Sequence, residues 1–418
     1  MNNKHKMDTT PEHANLQLKP VVIAVTAAIG LSGCFHSDDD NGGGGGTAGT
    51  FSLTATGGMG GTARGFGGGG GNVDLEIMGE NSSILILTGG SHLVPDVSSW
   101  PSAPSLGSNN RSFSSDYDLV VYPVDVTGMF TGVQPAVDEV YQVDASGGND
   151  CNVYVADTDA YGGDETPLTG IDVHAGATLT LNGNDGPSTN ACVDLDFDLS
   201  NAGMITAGAG IRMDITVEDY FGYTGSSVDS AGDASTPNGG VIDIEARTSV
   251  YNNGDITSRG HTSSTGAGGD GGNIYLYGQG ADMWNTGLLD SSGGDSTAAG
   301  YGGGDGGNVR LYGNDGASGG GAVISAGTID TSGGDGPGGV GPVDGGGDGG
   351  NVDLYNFAAG DLFVTAGINL SGGNATGADG NGGDSGRFDA TTGDANAKMV
   401  FVGFSDLTTA GGDGAEGG

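Results

Sequence analysis

The feature that most constrains this chain is a glycine-rich phrase that returns three times in its second half. Each copy has the pattern Gly-Gly-Asp-Gly-Gly-Asn followed by an alternating segment that ends in tyrosine, and the copies begin at Gly268, Gly303 and Gly346. The equivalent asparagines of successive copies lie 35 and 43 residues apart. Periods of about 20–50 residues are typical of solenoids, propellers and other repeat arrays. The chain is therefore predicted to build its fold by stacking similar units.

Outside the glycines, the apolar residues lie in short alternating runs. The segments 193–199 and 211–217 alternate apolar and polar side chains, and a period of two is typical of half-buried strands. With 91 glycines in 418 residues and a net charge of −41, the composition also fits a disordered chain. The alternation favours strands over disorder for the domain.

Within the repeat, the alternation gives each side chain a direction. Val352 and Leu354 represent the positions predicted to face the core and to stack on their counterparts in the neighbouring units. The tyrosines that close the three copies are predicted to form an aromatic ladder, and they are Tyr277, Tyr312 and Tyr355. One outward position is shared by Tyr275, Arg310 and Asp353.

Each unit offers two or three short strands, whereas a propeller blade needs four. The predicted fold is therefore all-β, a right-handed parallel β-helix over residues 51–418, with the Gly-rich segments as loops on one corner. The hand follows from the general chirality of parallel crossovers. Over residues 190–410 the phrases resemble the repeats of filamentous-haemagglutinin-like exported β-helix proteins, and this resemblance implies a surface stalk or adhesin.

The first 33 residues have the composition of an export signal. A polar segment with three lysines precedes the apolar run 21–31, which is shorter than the roughly 20 residues that a membrane span needs. The run ends in Leu31-Ser32-Gly33-Cys34, which resembles the lipobox of bacterial lipoproteins. The resemblance implies that residues 1–33 are a signal peptide and that Cys34 carries a lipid anchor.

The residues after the cysteine predict where the protein resides and how it is attached. Phe35 follows Cys34, where an acidic residue would favour inner-membrane retention, so an outer-membrane lipoprotein that reaches the cell surface is expected. Residues 34–50 hold an acidic stretch and five consecutive glycines. Gly-rich segments behave as flexible coils, so 34–50 is predicted to be a lipidated tether, or simply a disordered terminus.

The charge indicates which partners to expect. Eleven basic residues against 52 acidic ones exclude nucleic acid and favour divalent cations. Calcium prefers carboxylate and carbonyl oxygens in loops, so it is the candidate cofactor, and solvated acidic turns are the alternative. The candidate ligands are the aspartates of the Gly-rich segments, namely Asp270, Asp305, Asp348, Asp384, Asp295 and Asp335.

Three further features are the cysteine pair, a proline-rich segment and the C-terminal end of the sheet. Cys151 and Cys192 form an even pair once Cys34 is lipidated, so a disulfide is expected outside the cytoplasm, with two free thiols as the alternative. Residues 91–150 are rich in proline and break the repeat, which suggests an inserted or capping subdomain. At the C-terminal end, the open sheet edge needs a cover, either 399–404 or another molecule.

Three functions are compatible with these observations. The first is a non-enzymatic structural or adhesive lipoprotein at the cell surface, anchored in the membrane by its lipid and binding a surface glycan or a protein. The second is a calcium-dependent binding or assembly module. The third is a polysaccharide-active enzyme on a β-helix, which is disfavoured because the histidines are isolated and basic residues are few.

Overall fold

The computed structural model describes residues 52–57, 67–77, 83–87, 119–122, 136–137, 140–144, 152–153, 170–183, 191–194, 198–313, 321–338, 345–357, 360–377, 380–393, 397–402 and 406–414. These residues form strands and turns and include no helix. All of them belong to one compact unit that spans residues 44–418. The prediction of an all-β protein is confirmed.

The strands, numbered along the chain, form two sheets. The first sheet contains eleven described strands: β1 (Ser52–Thr56), β6 (Val140–Asp144), β7 (Asn152–Val153), β9 (Thr178–Gly183), β12 (Met204–Thr206), β14 (Ser227–Asp229), β16 (Asp255–Thr257), β19 (Leu289–Asp290), β22 (Ile329–Asp330), β25 (Ile368–Asn369) and β28 (Asp406–Ala410).

The second sheet contains seventeen described strands. They are β2 (Val73–Ile77), β3 (Ser83–Leu87), β4 (Leu119–Tyr122), β5 (Ala136–Val137), β8 (Ile171–Val173), β10 (Ala191–Asp194), β11 (Leu199–Asn201), β13 (Met213–Gly222), β15 (Ile242–Asn252), β17 (Ile274–Gly278), β18 (Met283–Asn285), β20 (Val309–Gly313), β21 (Val323–Ser325), β23 (Val352–Asn356), β24 (Leu362–Val364), β26 (Phe388–Thr392) and β27 (Lys398–Val402).

Strands from successive repeats pair with one another, and the pairing is parallel. In the second sheet β17 pairs with β20, β20 with β23, and β23 with β26. In the first sheet β16, β19, β22, β25 and β28 follow the same order. Among the described strands only the β6–β7 pair is antiparallel. The repeat in the sequence is therefore a repeat in space, with equivalent residues aligned.

The core lies along the aligned apolar positions. Val352 pairs with Val309 on one side and Phe388 on the other, and all three side chains are fully buried. Leu354 is also fully buried, so the predicted direction of these positions is confirmed. Burying a side chain of this size stabilises a fold by about 1.5–3 kcal/mol. The stacked units thus share one continuous core that no single unit could supply.

The glycine segments are ordered layers held together by backbone hydrogen bonds. The Gly304 N–H donates to the Gly294 carbonyl, the Gly334 N–H to Gly304, and the Gly347 N–H to Gly334, each at 2.9 Å. A Cβ on Gly304 would lie 1.9 Å from the carbonyl oxygen of Gly269. The sequence predicts that these segments are corner loops, but at positions such as Gly304 backbone packs on backbone and leaves no room for a side chain.

The C-terminal end of the stack is covered by the first strands of the same chain. Strand β1 pairs with β28, β2 with β26, and β3 with β27. The expectation that 399–404 or another molecule covers this edge is wrong, because β27 lies between β24 and β3 inside the sheet. At the other end β4 pairs with β8 and β6 with β9, so strands from residues 91–150 extend the same two sheets.

Candidate functional site

Two rows of side chains cross the strands β15, β17, β20, β23 and β26 on the face away from the core. Because side chains alternate across a strand, the residues between the buried positions form these rows, which together are called the outward face below. The first row is Asp243, Tyr275, Arg310, Asp353 and Asp389, and the second is Glu245, Tyr277, Tyr312, Tyr355 and Thr391.

The tyrosines of the second row form a stacked ladder. The ring centroids of Tyr277 and Tyr312 are 4.9 Å apart, and those of Tyr312 and Tyr355 are also 4.9 Å apart. The predicted aromatic ladder is therefore confirmed. Phe357 extends it sideways, since its ring stacks on Tyr355 at 5.6 Å with an interplanar angle of 6°. Phe357 was not predicted from the sequence, although it continues the outward alternation two residues after Tyr355.

Two carboxylates of the first row are held in ion pairs with arginines. Arg310 Nε lies 3.0 Å from the buried Asp353 carboxylate, and Arg387 Nη2 lies 3.0 Å from Asp389. The Arg310 guanidinium also lies over the Tyr275 ring, 5.4 Å from its centroid. A buried carboxylate needs a partner to offset its lost hydration, so these arginines are engaged by the face itself.

An open cleft of about 320 Å³ lies beside the tyrosine ladder. It is lined by the aromatic residues Tyr277, Tyr312 and Phe357, by the polar residues Glu245 and Gln279, and by Gly278 and Gly313. The Gln279 amide donates a hydrogen bond to the Glu245 carboxylate. Phe357 is 52% exposed. Aromatic side chains together with a few polar groups are the usual composition of a ligand site.

The ionisation of the face is set by burial. Burial, with the charge of Asp243 next in importance, raises the pKa of Tyr277 to about 12. Burial also raises the pKa of Tyr312 and of Tyr355. Burial and the nearby Asp214 raise the pKa of Asp243 to about 6, against the opposing effect of Arg212. At neutral pH the tyrosine hydroxyls therefore keep their protons and can donate hydrogen bonds.

The candidate calcium ligands of the first phrase form one column along the glycine layers. Asp305 N–H donates to Asp270 Oδ1 at 3.0 Å, Asp348 N–H to Asp305 Oδ1 at 2.8 Å, and Asp384 N–H to Asp348 Oδ1 at 2.7 Å. The column continues upstream, where Asp270 N–H donates to Asn238 Oδ1 at 2.9 Å. Each carboxylate thus caps the backbone of the next repeat.

A second column contains the remaining two candidates. Asp335 N–H donates to Asp295 Oδ1 at 2.8 Å, and Asn374 N–H donates to Asp335 Oδ1 at 2.6 Å. Each column also contains an asparagine, which is Asn238 in the first and Asn374 in the second. Asparagine and aspartate share an acceptor oxygen, whereas only aspartate carries a charge. The described residues contain no group of three or more acidic, histidine or cysteine side chains placed to hold a metal ion.

The repeat asparagines form a third column of the same kind. Asn308 N–H donates to Asn273 Oδ1 at 2.8 Å and Asn351 N–H to Asn308 Oδ1 at 2.9 Å. Their side-chain amides bond along the column as well, at 3.2 Å and 3.0 Å. Asparagine supplies both an acceptor and donors, which accounts for its presence in all three copies of the phrase.

Two predicted sites, the lipid anchor and the disulfide, lie wholly or partly outside the described residues. Cys34 and Cys151 are not among the residues that the structure describes, and only the backbone of Cys192, in β10, is described. The lipid anchor and the disulfide stay predictions. Within the described part of the chain, no helix is long and apolar enough to cross a membrane.

Comparisons with protein-family models, with curated proteins and with solved structures found no match to this chain.

Proposed function

We propose that this chain is an exported, non-enzymatic lipoprotein that is anchored at the outer membrane through Cys34 and acts as a structural and adhesive element of the cell surface. Its body is a right-handed parallel β-helix that projects a binding surface away from the membrane. Its partners are the membrane, through the lipid, and a surface glycan or protein, through the outward face.

The β-helix is supported by the pairing of equivalent strands from consecutive repeats. Ile274, Val309, Val352 and Phe388 form one buried column in β17, β20, β23 and β26. The first sheet has a matching column in Ile256, Leu289, Ile329 and Ile368. A chain that returns to the same strand position in every repeat coils around its core, and parallel crossovers are right-handed in about 98% of cases.

The observation that carries the adhesive role is the outward face. The buried columns hold apolar residues at every position, whereas the first row holds tyrosine, arginine and aspartate at equivalent positions. Structure alone does not require such variation or a stacked aromatic wall. Rigid aromatic side chains supply contact area at a low entropic cost, so a face of this kind suits the binding of a partner.

The anchor is tested by metabolic labelling with a palmitate analogue in a bacterial host. The wild-type chain is expected to carry the label and to fractionate with the outer membrane. Cys34→Ala is expected to lose both properties, and Cys192→Ala, the matched control, to keep them. An unlabelled wild-type chain, or a labelled Cys34→Ala chain, contradicts the proposal.

Adhesion is tested on intact cells that display the chain. Surface exposure is measured by protease shaving, and attachment by counting cells retained on surfaces coated with host or bacterial glycans. Cells with the wild-type chain should be retained, and cells with Cys34→Ala should release the protein and detach. Equal retention of both strains, or a chain protected from protease, contradicts the proposed role.

A further inference from the structure

The cleft beside the tyrosine ladder combines two kinds of surface at one place. Phe357 presents an exposed ring that is already fixed by stacking on Tyr355 at 5.6 Å and by its contact with Tyr312 at 5.9 Å. Glu245, which pairs with Tyr277 in the same row, and Gln279 supply a carboxylate and an amide to the same cleft. Because the rings are held in place before any ligand arrives, little side-chain freedom is lost on binding.

Two glycines contribute backbone to the lining of the cleft. Gly278 and Gly313 pair with each other in adjacent strands, and both follow a ladder tyrosine directly. A Cβ on Gly313 would lie 2.5 Å from the Val323 side chain, and one on Gly278 would lie 2.6 Å from the Asp282 carbonyl oxygen, so packing on the inner side of the strands requires glycine at both positions. The cleft thus lies across two consecutive repeats, beside the ladder tyrosines of both.

The charge of the cleft selects among ring-shaped ligands. Among its described lining residues Glu245 is the only charged one, and none is basic. Arg310, the arginine of the first row, is paired with the Asp353 carboxylate and lies over the Tyr275 ring. With a net charge of −41 on the whole chain, acidic sugars and phosphates are repelled. The chemistry that remains is a ring with an apolar face and an edge of neutral hydroxyls.

We propose that this cleft binds a neutral pyranose segment of a glycan. The apolar face of one sugar ring packs on Phe357, and its hydroxyls bond to Glu245, Gln279 and the hydroxyls of Tyr277 and Tyr312. The volume, about 320 Å³, is at the lower end of the range for ligand pockets, so the site takes a short segment of a longer chain. This proposal rests on the adhesive function proposed above and names its ligand class.

The test is calorimetric titration of the full-length chain with defined neutral hexasaccharides of β-1,4-glucose, β-1,3-glucose and α-1,4-glucose. Trigalacturonate serves as the acidic probe. At least one neutral hexasaccharide should bind, and trigalacturonate should not. Phe357→Ala should weaken binding about tenfold, the loss expected when one stacked aromatic contact of roughly 1.4 kcal/mol is removed. Glu245→Gln should also weaken it, because a charge-assisted hydrogen bond becomes a neutral one.

The matched control is Tyr301→Ala, which removes an exposed aromatic side chain, 47% accessible, that does not line the cleft. It should change the dissociation constant less than about twofold, which is under 0.5 kcal/mol. The proposal is overturned if none of the neutral hexasaccharides binds, if trigalacturonate binds more tightly than they do, or if Phe357→Ala binds like the control. Palmitate labelling and cell retention test the proposed anchor and adhesion separately from the cleft. If both are observed but no neutral hexasaccharide binds, only the proposal about the cleft is overturned.

Discussion

Replacing Gly304 by alanine tests whether the glycine layers are an ordered part of the fold. The new Cβ would lie 1.9 Å from the Gly269 carbonyl oxygen and 2.3 Å from its carbon. Neither atom belongs to a flexible side chain, and the Gly269 oxygen also accepts the Gly294 N–H at 2.8 Å. The backbone must therefore move apart at two neighbouring repeats to admit one methyl group.

The cost can be worked from these contacts. Overpacking a tight interior costs about 1–3 kcal/mol, and each hydrogen bond lost nearby adds about 1 kcal/mol. The bonds at risk are Gly304 N–H to Gly294 and Gly334 N–H to Gly304, both 2.9 Å long. We therefore expect Gly304→Ala to lower the free energy of unfolding by about 3–5 kcal/mol.

The matched control is Gly266→Ala, in the Gly-rich segment that leads into the preceding copy of the phrase. A Cβ on Gly266 has ordinary contact at 3.7 Å, with the Ser263 hydroxyl oxygen. Alanine there should leave stability unchanged or raise it by about 0.4–1 kcal/mol, because it restricts the unfolded chain. The assay is urea unfolding combined with hydrogen exchange of the amides in 287–313, since repeat proteins can unfold in parts. Equal stability of the two variants would refute the packed glycine layer.

Three other perturbations follow from the described contacts. Asp305→Asn keeps the acceptor for the Asp348 N–H, so its urea unfolding should match that of the wild type both with calcium and with chelator. Asp305→Ala should lose about 1 kcal/mol of stability. If instead calcium bridges the column, chelator destabilises the wild type and Asp305→Asn behaves like the alanine variant. Burial raises the pKa of Asp219 from 3.8 to about 6, so the protonated side chain favours the folded state and this contribution is lost as the pH rises from 4 through 6. Asp219→Asn should therefore be more stable than the wild type by about 1 kcal/mol at pH 7 and equally stable near pH 4. A stability difference that widens in acid would contradict this. Deleting 52–87 uncovers the edge formed by β26, β27 and β28 and should give aggregates or oligomers in light scattering, whereas a monodisperse monomer would show that this edge needs no cover.

The parts of the fold that were predictable from sequence are those that recur, either every second residue or once in each repeat. The alternation around Val352 and Leu354 identifies the core, and the spacing of Tyr277, Tyr312 and Tyr355 identifies the ladder. Both follow from the rule that parallel strands one repeat apart align equivalent residues. Phe357 obeys the same alternation and was within reach of the argument. Glu245 was not, because β15 precedes the clear copies of the phrase and its register with β17 is set by backbone pairing.

The glycine layers and the covered end were beyond pattern reasoning for a physical reason. Glycine is common in loops and equally necessary where two backbones touch, and only the distances at Gly304 distinguish the two uses. The pairing of β1 with β28 joins residues more than 350 positions apart. Contacts at such separations leave no periodic trace in the sequence. The aspartates do recur with the repeat, and their spacing predicts a column but not that each carboxylate accepts the next backbone N–H.

The buried apolar columns and the columns of glycine, asparagine and aspartate explain how equivalent surface positions can differ between repeats while the fold stays the same. Stability resides in the buried apolar columns and in the glycine, asparagine and aspartate columns, where each member bonds or packs to an equivalent member of the next repeat. The outward rows differ, since Tyr275, Arg310 and Asp353 succeed one another at a single position. Substitution of the exposed Phe357 should therefore alter binding far more than folding, whereas loss of Arg310 would take a partner from the buried Asp353 carboxylate and destabilise the fold. This division fits the proposed surface role, because exposed residues of the face can change while the stack beneath them stays the same.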